Sequence, residues 1–204
     1  MKTVTDIKEQ AKNKKRVSIY LDGAYYCGLD LATAVKYRLK KGMMIEESSI
    51  VEMQRSAEMQ ACFDSALNFL SSSIKTEKQV RDKLIKKGYL EEIIEEIILK
   101  LKSYDYLNDF EYARRYVESY KSVKGKRLIE VELRRKGVDF SCIERALELI
   151  ESQDKSIEKL VEKYIKNKII DKKTLQKLYK FLLSKGFSFE EAQNAVSQVK
   201  IDEN

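Results

Sequence analysis

Three short stretches decide the fold: Leu84-Ile-Lys-Lys-Gly88, Leu133-Arg-Arg-Lys-Gly137 and Leu182-Leu-Ser-Lys-Gly186. Their glycines stand at 88, 137 and 186, two equal steps of 49 residues. The surrounding apolar residues repeat in the same register. Val80, Ile129 and Leu178 lie eight residues before each glycine, and Leu84, Leu133 and Leu182 four before it. Beyond it, Ile94, Ile143 and Ala192 align, then Ile97, Ala146 and Ala195, then Leu101, Ile150 and Val199. A fixed period of this length is the signature of a stacked repeat.

Each repeat is helical. The four-residue spacing before the glycine and the i, i+3, i+4, i+7 pattern after it (Ile94, Ile97, Ile98, Leu101) are helix periods. Glycine just past a helix end adopts the left-handed conformation without a Cβ clash, and lysine in the last turn suits the helix dipole. Such an end presents carbonyls rather than N–H groups, which argues against phosphate binding there. A third helix is expected before each pair, over residues 55–72, 109–123 and 154–168. Capping-box spacings mark helix starts at Thr76/Gln79, Asn108/Glu111, Ser141/Glu144 and Ser188/Glu191. The chain has no proline to kink a helix. The expected fold is mainly α: an elongated, right-handed tandem array of three three-helix repeats, over 51–105, 106–152 and 153–204.

The first fifty residues differ. Arg16 to Leu21 is β-branched and aromatic, Asp22-Gly23 is a hairpin turn signal, and Ala24 to Gly28 reads as the return strand. Leu31 to Leu39 is expected to be a short helix, capped by Asp30 before it and Gly42 after it. Met43 to Ile45 is expected to add an edge strand. Residues 1–50 thus form a small N-terminal α/β subdomain, too small to be stable without neighbours.

Composition bounds the function. Of 204 residues, 43% are hydrophobic, enough for a core spread along an array. No run of 18 apolar residues spans a membrane, and Met1 to Arg16 is basic without a signal-peptide core. Three scattered cysteines, Cys27, Cys62 and Cys142, fit free buried thiols in a reducing, cytoplasmic setting. With no histidine there is no imidazole base and no histidine-bearing zinc site. Gly23 and Gly28 have P-loop spacing, but Leu29 and Asp30 follow where Lys and Ser/Thr are needed. A non-enzymatic protein without metal or cofactor is expected.

Charge is sorted by position. The formal net charge is +7. Arg81, Lys83 and Lys87 belong to a basic cluster on the middle helix of repeat one. Arg114, Arg115, Lys124, Lys126, Arg127, Arg134, Arg135 and Lys136 gather in repeat two. If the repeats stack in parallel, their middle helices line one side and form a basic stripe, which attracts an anionic partner and releases counterions where that partner is nucleic acid. An ordinary lysine-rich solvated surface has the same sequence appearance. Arg127, Val131 and Arg134 share one helix face, and arginine's planar fork suits contact.

Three segments together resemble the RecX family of recombinase regulators: Leu84-Ile-Lys-Lys-Gly-Tyr89, Tyr104-Asp-Tyr-Leu-Asn-Asp109 and Lys124-Gly-Lys-Arg-Leu-Ile-Glu-Val-Glu-Leu-Arg-Arg-Lys-Gly137. Thr76-Glu-Lys-Gln-Val80 and the Ile-Tyr-Leu-Asp-Gly hairpin fit the same pattern. The resemblance covers essentially the whole chain and is strongest from about residue 60 to 150. It implies a cytoplasmic, monomeric, non-enzymatic modulator of the RecA recombinase, acting in homologous recombination, DNA repair and the SOS response. Members bind in the groove of the RecA–single-stranded-DNA filament and inhibit its ATPase, strand-exchange and coprotease activities. The segment Lys124 to Lys136 is the contact region carried over, and the basic residues named above are contact candidates toward RecA or toward single- or double-stranded DNA.

The alternative is a stand-alone nucleic-acid-binding helical repeat whose tyrosines stack on exposed bases. Most of the 12 tyrosines sit at apolar helix positions, where core packing is the expected use. The register itself is testable. Leu133→Ala is expected to destabilise the protein by about 2–5 kcal/mol in chemical denaturation, as large-to-small core changes do.

Overall fold

The computed structural model describes residues 1–10 and 13–200. Among these, β1 (Lys2–Gln10), β2 (Asn13–Leu21), β3 (Ala24–Asp30) and β4 (Met44–Ile45) form one antiparallel sheet in the order β3-β2-β1-β4. Asp22 and Gly23 take positive φ of 49° and 86°, as a two-residue hairpin turn of type I′ requires. β1 stands where the sequence reading finds only a basic segment. Its lysines, aspartate and glutamate interrupt the apolar alternation, and pairing with β2 supplies what local propensity lacks.

Helix α1 (Leu31–Lys36) starts at Asp30, whose carboxylate accepts from the Ala32 N–H at 3.1 Å. It stops short of the expected Leu39. Arg38, with φ of 50°, takes the left-handed position, and the Leu39 N–H returns to the Ala34 carbonyl. Gly42 does not cap this helix. It turns the chain toward β4, its N–H donating to the Val4 carbonyl at 2.7 Å.

Helix α2 (Glu47–Leu70) begins eight residues before the expected 55. Ile50 and Met53 in its first turns join the core of the sheet, with Val4, Val17, Ile19 and Leu29. The boundary expected at residue 50 therefore lies inside a continuous helix. Its N-cap, Glu46, makes no side-chain capping bond, so no cap signal marks the start.

The remaining helices follow the repeat: α3 (Glu77–Lys86), α4 (Glu91–Ser103), α5 (Asp109–Tyr120), α6 (Lys126–Arg135), α7 (Phe140–Glu148), α8 (Asp154–Ile165), α9 (Lys172–Ser184) and α10 (Phe189–Ser197). With α2 they supply the nine repeat helices, and α1 makes ten among the described residues. The chain divides into two compact units, Met1–Ser71 with Leu84–Leu99, and Ser72–Lys83 with the chain from Lys100 on. Within the first, Arg55 pairs with Glu96, and burial of Cys62 pushes its thiol up to about 11. Cys27 is also buried, whereas Cys142 is only half-buried. Within the second, Ala113, Val117, Ile129, Leu133, Ile143 and Ala146 form the core of repeat two. Ile157, Val161, Leu178, Leu182, Phe187 and Ala192 form that of repeat three.

The three Lys-Gly ends have one geometry. Gly88, Gly137 and Gly186 have φ of 85°, 82° and 87°. Each glycine N–H donates three residues back, to Ile85, Arg134 or Leu183, and the next N–H five back, to Leu84, Leu133 or Leu182. This is the Schellman motif. In repeats two and three its apolar contact joins the core, since Val138, Leu133, Phe187 and Leu182 are all buried. Capping boxes close at Thr76/Gln79 and Ser188/Glu191. Asn108 caps the Glu111 N–H, but α7 is capped by Asp139 rather than the expected Ser141. Asp139 precedes the first helical residue and its carboxylate accepts the Ser141 N–H, which leaves Ser141 inside the helix.

The second helices meet end to end, not side by side. The Gly125 N–H at the start of α6 donates to the Lys185 carbonyl at the end of α9 (2.8 Å), and the Arg127 N–H to the Gly186 carbonyl (3.3 Å). At the other end of α6, the Thr76 hydroxyl that caps α3 donates to the Lys136 carbonyl at 2.7 Å. Orphan donors of one helix thus find orphan acceptors of the next. The approach is too close for side chains. A Cβ on Gly125 would lie 2.2 Å from the Gly186 oxygen, one on Gly137 would lie 2.4 Å from Lys78 Cβ, and one on Gly186 would lie 2.3 Å from Leu128 Cβ. Around Gly88 there is nothing within 4 Å. Gly125→Ala is therefore expected to reach or exceed the roughly 3 kcal/mol upper end of overpacking changes. Gly88→Ala is expected to show only the left-handed penalty, about 1–2 kcal/mol. Urea denaturation of the two variants side by side checks this, and equal losses would contradict the joint.

Candidate functional site

Helix α6 carries four of the candidate residues, Lys126, Arg127, Arg134 and Arg135, and its two sides do different things. Ile129 and Leu133 are fully buried, whereas Arg127, Val131, Arg134 and Arg135 are exposed. Arg134 and Arg135 in the last turn suit the dipole. The N-terminus has no acidic residue and no side-chain cap, because Gly125 and the α9 carbonyls occupy that position.

Lys124 and Lys126 each contact groups of the protein itself. Lys126 Nζ donates to the Ile150 carbonyl at 2.9 Å, which ties its charge to the end of α7. Lys124 is held by both oxygens of Glu132, at 2.7 and 2.8 Å, with its ammonium 4.0 Å from the Tyr120 ring centroid. Glu132 also accepts the Tyr116 hydroxyl at 2.7 Å. Burial and this carboxylate push the Tyr116 hydroxyl far up. Burial alone would raise the Glu132 carboxyl, but its bonds from Lys124 and Tyr116 outweigh that and hold it below the ordinary range. Tyr112, Tyr116 and Tyr120 form a ladder along α5, with centroids 6.3 and 4.5 Å apart, and Lys136 lies 5.6 Å from the middle ring.

Other candidates are neutralised locally. Arg114 and Arg115 share Glu111, whose carboxyl they pull down to about 2. Arg81 pairs with Glu77, which also holds Lys102. Arg135 and Lys87 are exposed and have no carboxylate within ion-pair distance among the described residues. Lys83 is exposed on α3. Within the second unit, i, i+4 carboxylates thus accompany Arg81, Arg115 and Arg134.

The outer face of α6 brings two candidates together. Arg127 and Arg134 are seven residues apart, about 20° from one meridian. The Arg127 guanidinium lies 5.4 Å from the Phe189 ring, and that of Arg134 5.1 Å from the Phe140 ring, with Glu130 in ion-pair contact. These phenylalanines, exposed by 61% and 53%, are absent from the sequence-based candidates. A signal was there: both stand three residues after a Lys-Gly glycine, 49 residues apart. None of the 12 tyrosines is fully buried; Tyr25, Tyr104, Tyr106 and Tyr120 are exposed, whereas Tyr26, Tyr37, Tyr112, Tyr116, Tyr164 and Tyr179 pack half-buried against the cores.

Among the described residues no cluster of acidic or sulfur side chains could hold a metal ion, and no helix is long and apolar enough to cross a membrane. Four family models match the chain: the regulatory protein RecX N-terminal domain over residues 2–46, and the first, second and third RecX three-helix domains over 62–101, 108–147 and 151–196. Regulatory protein RecX of Bacillus subtilis (strain 168) is 37% identical over 99% of this chain and 79% of its own length. That of Clostridium perfringens (strain SM101 / Type A) is 35% identical over 100% of this chain and 99% of its own. A crystal structure of regulatory protein RecX superposes with a TM-score of 0.74 at 29% identity, covering 97% of this chain and all of the other. RecX from Lactobacillus salivarius gives 0.66 at 32%, covering 70% of this chain and 97% of the other.

The Lys124–Glu132–Tyr116 network predicts a pH dependence. The folded-state pKa of Glu132 lies below the ordinary unfolded value of about 4.3. Its contribution is fully present above that value and is lost as pH falls through the lowered pKa. Glu132→Gln is expected to destabilise the protein by about 1–2 kcal/mol at neutral pH. Urea titrations at neutral pH and near pH 3 should show the gap to the wild type narrowing in acid. A gap independent of pH would contradict the assignment.

Proposed function

Because this chain belongs to the RecX family, we propose that it binds the filament formed by the RecA recombinase on single-stranded DNA. Bound there, it inhibits ATP hydrolysis, strand exchange and the coprotease activity of the filament, and so restrains recombination, DNA repair and the SOS response. It acts by occupancy and has no chemistry of its own, consistent with relatives named regulatory proteins. The observation that carries this reading is the outer face of α6. There Arg127 and Arg134 are presented together on a rigid helix whose other side is locked into the core. Such a face suits an anionic polymer, and exposed guanidinium groups both steer association and pair with phosphate or carboxylate. Arg135 and Lys87 are further contacts of the same kind, and Lys83 joins them on α3. Arg81, Arg114, Arg115 and Lys136 contribute once their local partners are exchanged. Lys124 and Lys126 contribute from the start of α6, where each is held by a group of the protein.

The test is inhibition of RecA ATP hydrolysis on single-stranded DNA by increasing amounts of this protein. The double variant Arg127→Glu/Arg134→Glu is expected to raise the half-inhibitory concentration about tenfold or more, equivalent to about 1.4 kcal/mol. Its helical circular dichroism is expected to persist, since only two exposed ring stacks and one surface ion pair are lost, each worth up to about 1 kcal/mol. Added salt should weaken the wild type more steeply than the variant, because fewer counterions are displaced. A folded double variant that inhibits like the wild type would remove α6 from the interface. Tight binding to naked DNA with no gain from RecA would favour a stand-alone nucleic-acid-binding protein instead.

A further inference from the structure

Phe140 and Phe189 call for an explanation that packing does not supply. Each is the first residue of the third helix of its repeat, in α7 and α10. Neither belongs to the buried core, and more than half of each ring's residue surface meets solvent. Local folding does not need them, since Asp139 and Ser188 already cap these helices and Ile143 and Ala192 already anchor them. In repeat one the same position is Glu91. What the two rings share is a guanidinium from α6: Arg134 reaches Phe140 within its own repeat, and Arg127 reaches Phe189 across the joint to the next. The two pairs are thus carried by one helix, their arginines seven residues apart, or roughly 10 Å along its axis.

We infer that the Arg134–Phe140 and Arg127–Phe189 pairs are two base-stacking stations for one single strand of nucleic acid. The inference rests on the proposed use of the α6 face and names the chemical group recognised there. A half-exposed aromatic ring with a planar cation over one face matches a nucleobase joined to a phosphate, the base stacking on the ring's remaining surface or on the guanidinium plane. The ring stacks on the base and the guanidinium pairs with the anion. A protein partner would use such aromatic–arginine pairs without regard to bases, an outcome that an abasic strand distinguishes. Arginines seven residues apart, roughly 10 Å along the α6 axis, match about three nucleotides at about 3.4 Å each. Stacking is tolerant of base identity, so the site reads the presence of bases rather than their order. Glu130, paired with Arg134, holds that guanidinium at the ring until phosphate competes for it.

The experiment measures fluorescence anisotropy of a labelled oligothymidylate and of an abasic strand of equal length and charge, at one salt concentration, without RecA. The wild type is expected to bind the base-bearing strand at least about fivefold more tightly per station, the lower end of base–aromatic stacking. Phe140→Leu/Phe189→Leu keeps apolar bulk but lacks the π-face; it should bring the two strands to equal affinity. Phe140→Tyr/Phe189→Tyr should restore the preference. Circular dichroism of all three proteins should coincide. Equal binding of both strands by the wild type would overturn the inference, as would no binding of either, or a folded leucine variant that still prefers bases. RecA inhibition is read separately. A wild type that inhibits RecA yet ignores bases sinks the stacking stations alone, whereas failure of inhibition sinks the wider proposal.

Discussion

The structure depends on a meeting of helix ends. At the end of α9 and the start of α6, unsatisfied carbonyls of one helix take up unsatisfied N–H groups of the next. At the end of α6 and the start of α3, the same role falls to the Thr76 hydroxyl, which closes a capping box and also donates to the Lys136 carbonyl. A helix terminus normally needs solvent or a side chain to satisfy these groups. Here two termini satisfy one another, which is possible only because glycine stands at 125, 137 and 186, where any Cβ would collide with the neighbouring repeat. The lysine-glycine motif is therefore both a stop signal and a coupling.

This coupling orients everything the outer surface offers. It fixes α6 at both ends, so its solvent face is held in place rather than loosely presented. The same meeting brings Arg127 of repeat two over Phe189 of repeat three. Beneath that face, Lys124, Glu132 and Tyr116 bind α5 to α6 through charge-assisted bonds. Gln153, buried at the entrance to α8, donates to the carbonyls of both Lys121 and Lys124, at 2.7 Å each. The helix carrying this surface is thus tied at both ends and along its inner side.

The fold was largely legible in the sequence because it is written three times. The period locates the glycines, and the glycines locate the helix ends. What was not legible has specific reasons. β1 alternates poorly and becomes a strand through its neighbour. α2 begins early because Ile50 and Met53 serve the sheet rather than the repeat. The site was less legible than the fold. Charge clusters read as a stripe, but the spacing that places Lys78, Arg81 and Arg134 also places Asp82, Glu77 and Glu130 beside them. Lys124 and Lys126 read as members of a basic cluster, but the repeat places Glu132 and the Ile150 carbonyl within their reach. Phe140 and Phe189 sat in the repeat register, but an apolar residue at a helix start reads as core until its exposure is known.

The joint also bears on how such a chain changes length. The hydrogen bonds of the joint each run from one repeat to the next. A gene duplication that inserts a block of 49 codons in frame between two such ends carries its own glycine, its own cap and its own core, and adds one more junction of the same kind. A duplication of any other length rotates the next helix out of line. Size in this architecture is therefore quantised, and evolution or a protein engineer can lengthen the array by whole repeats while leaving each existing surface as it was.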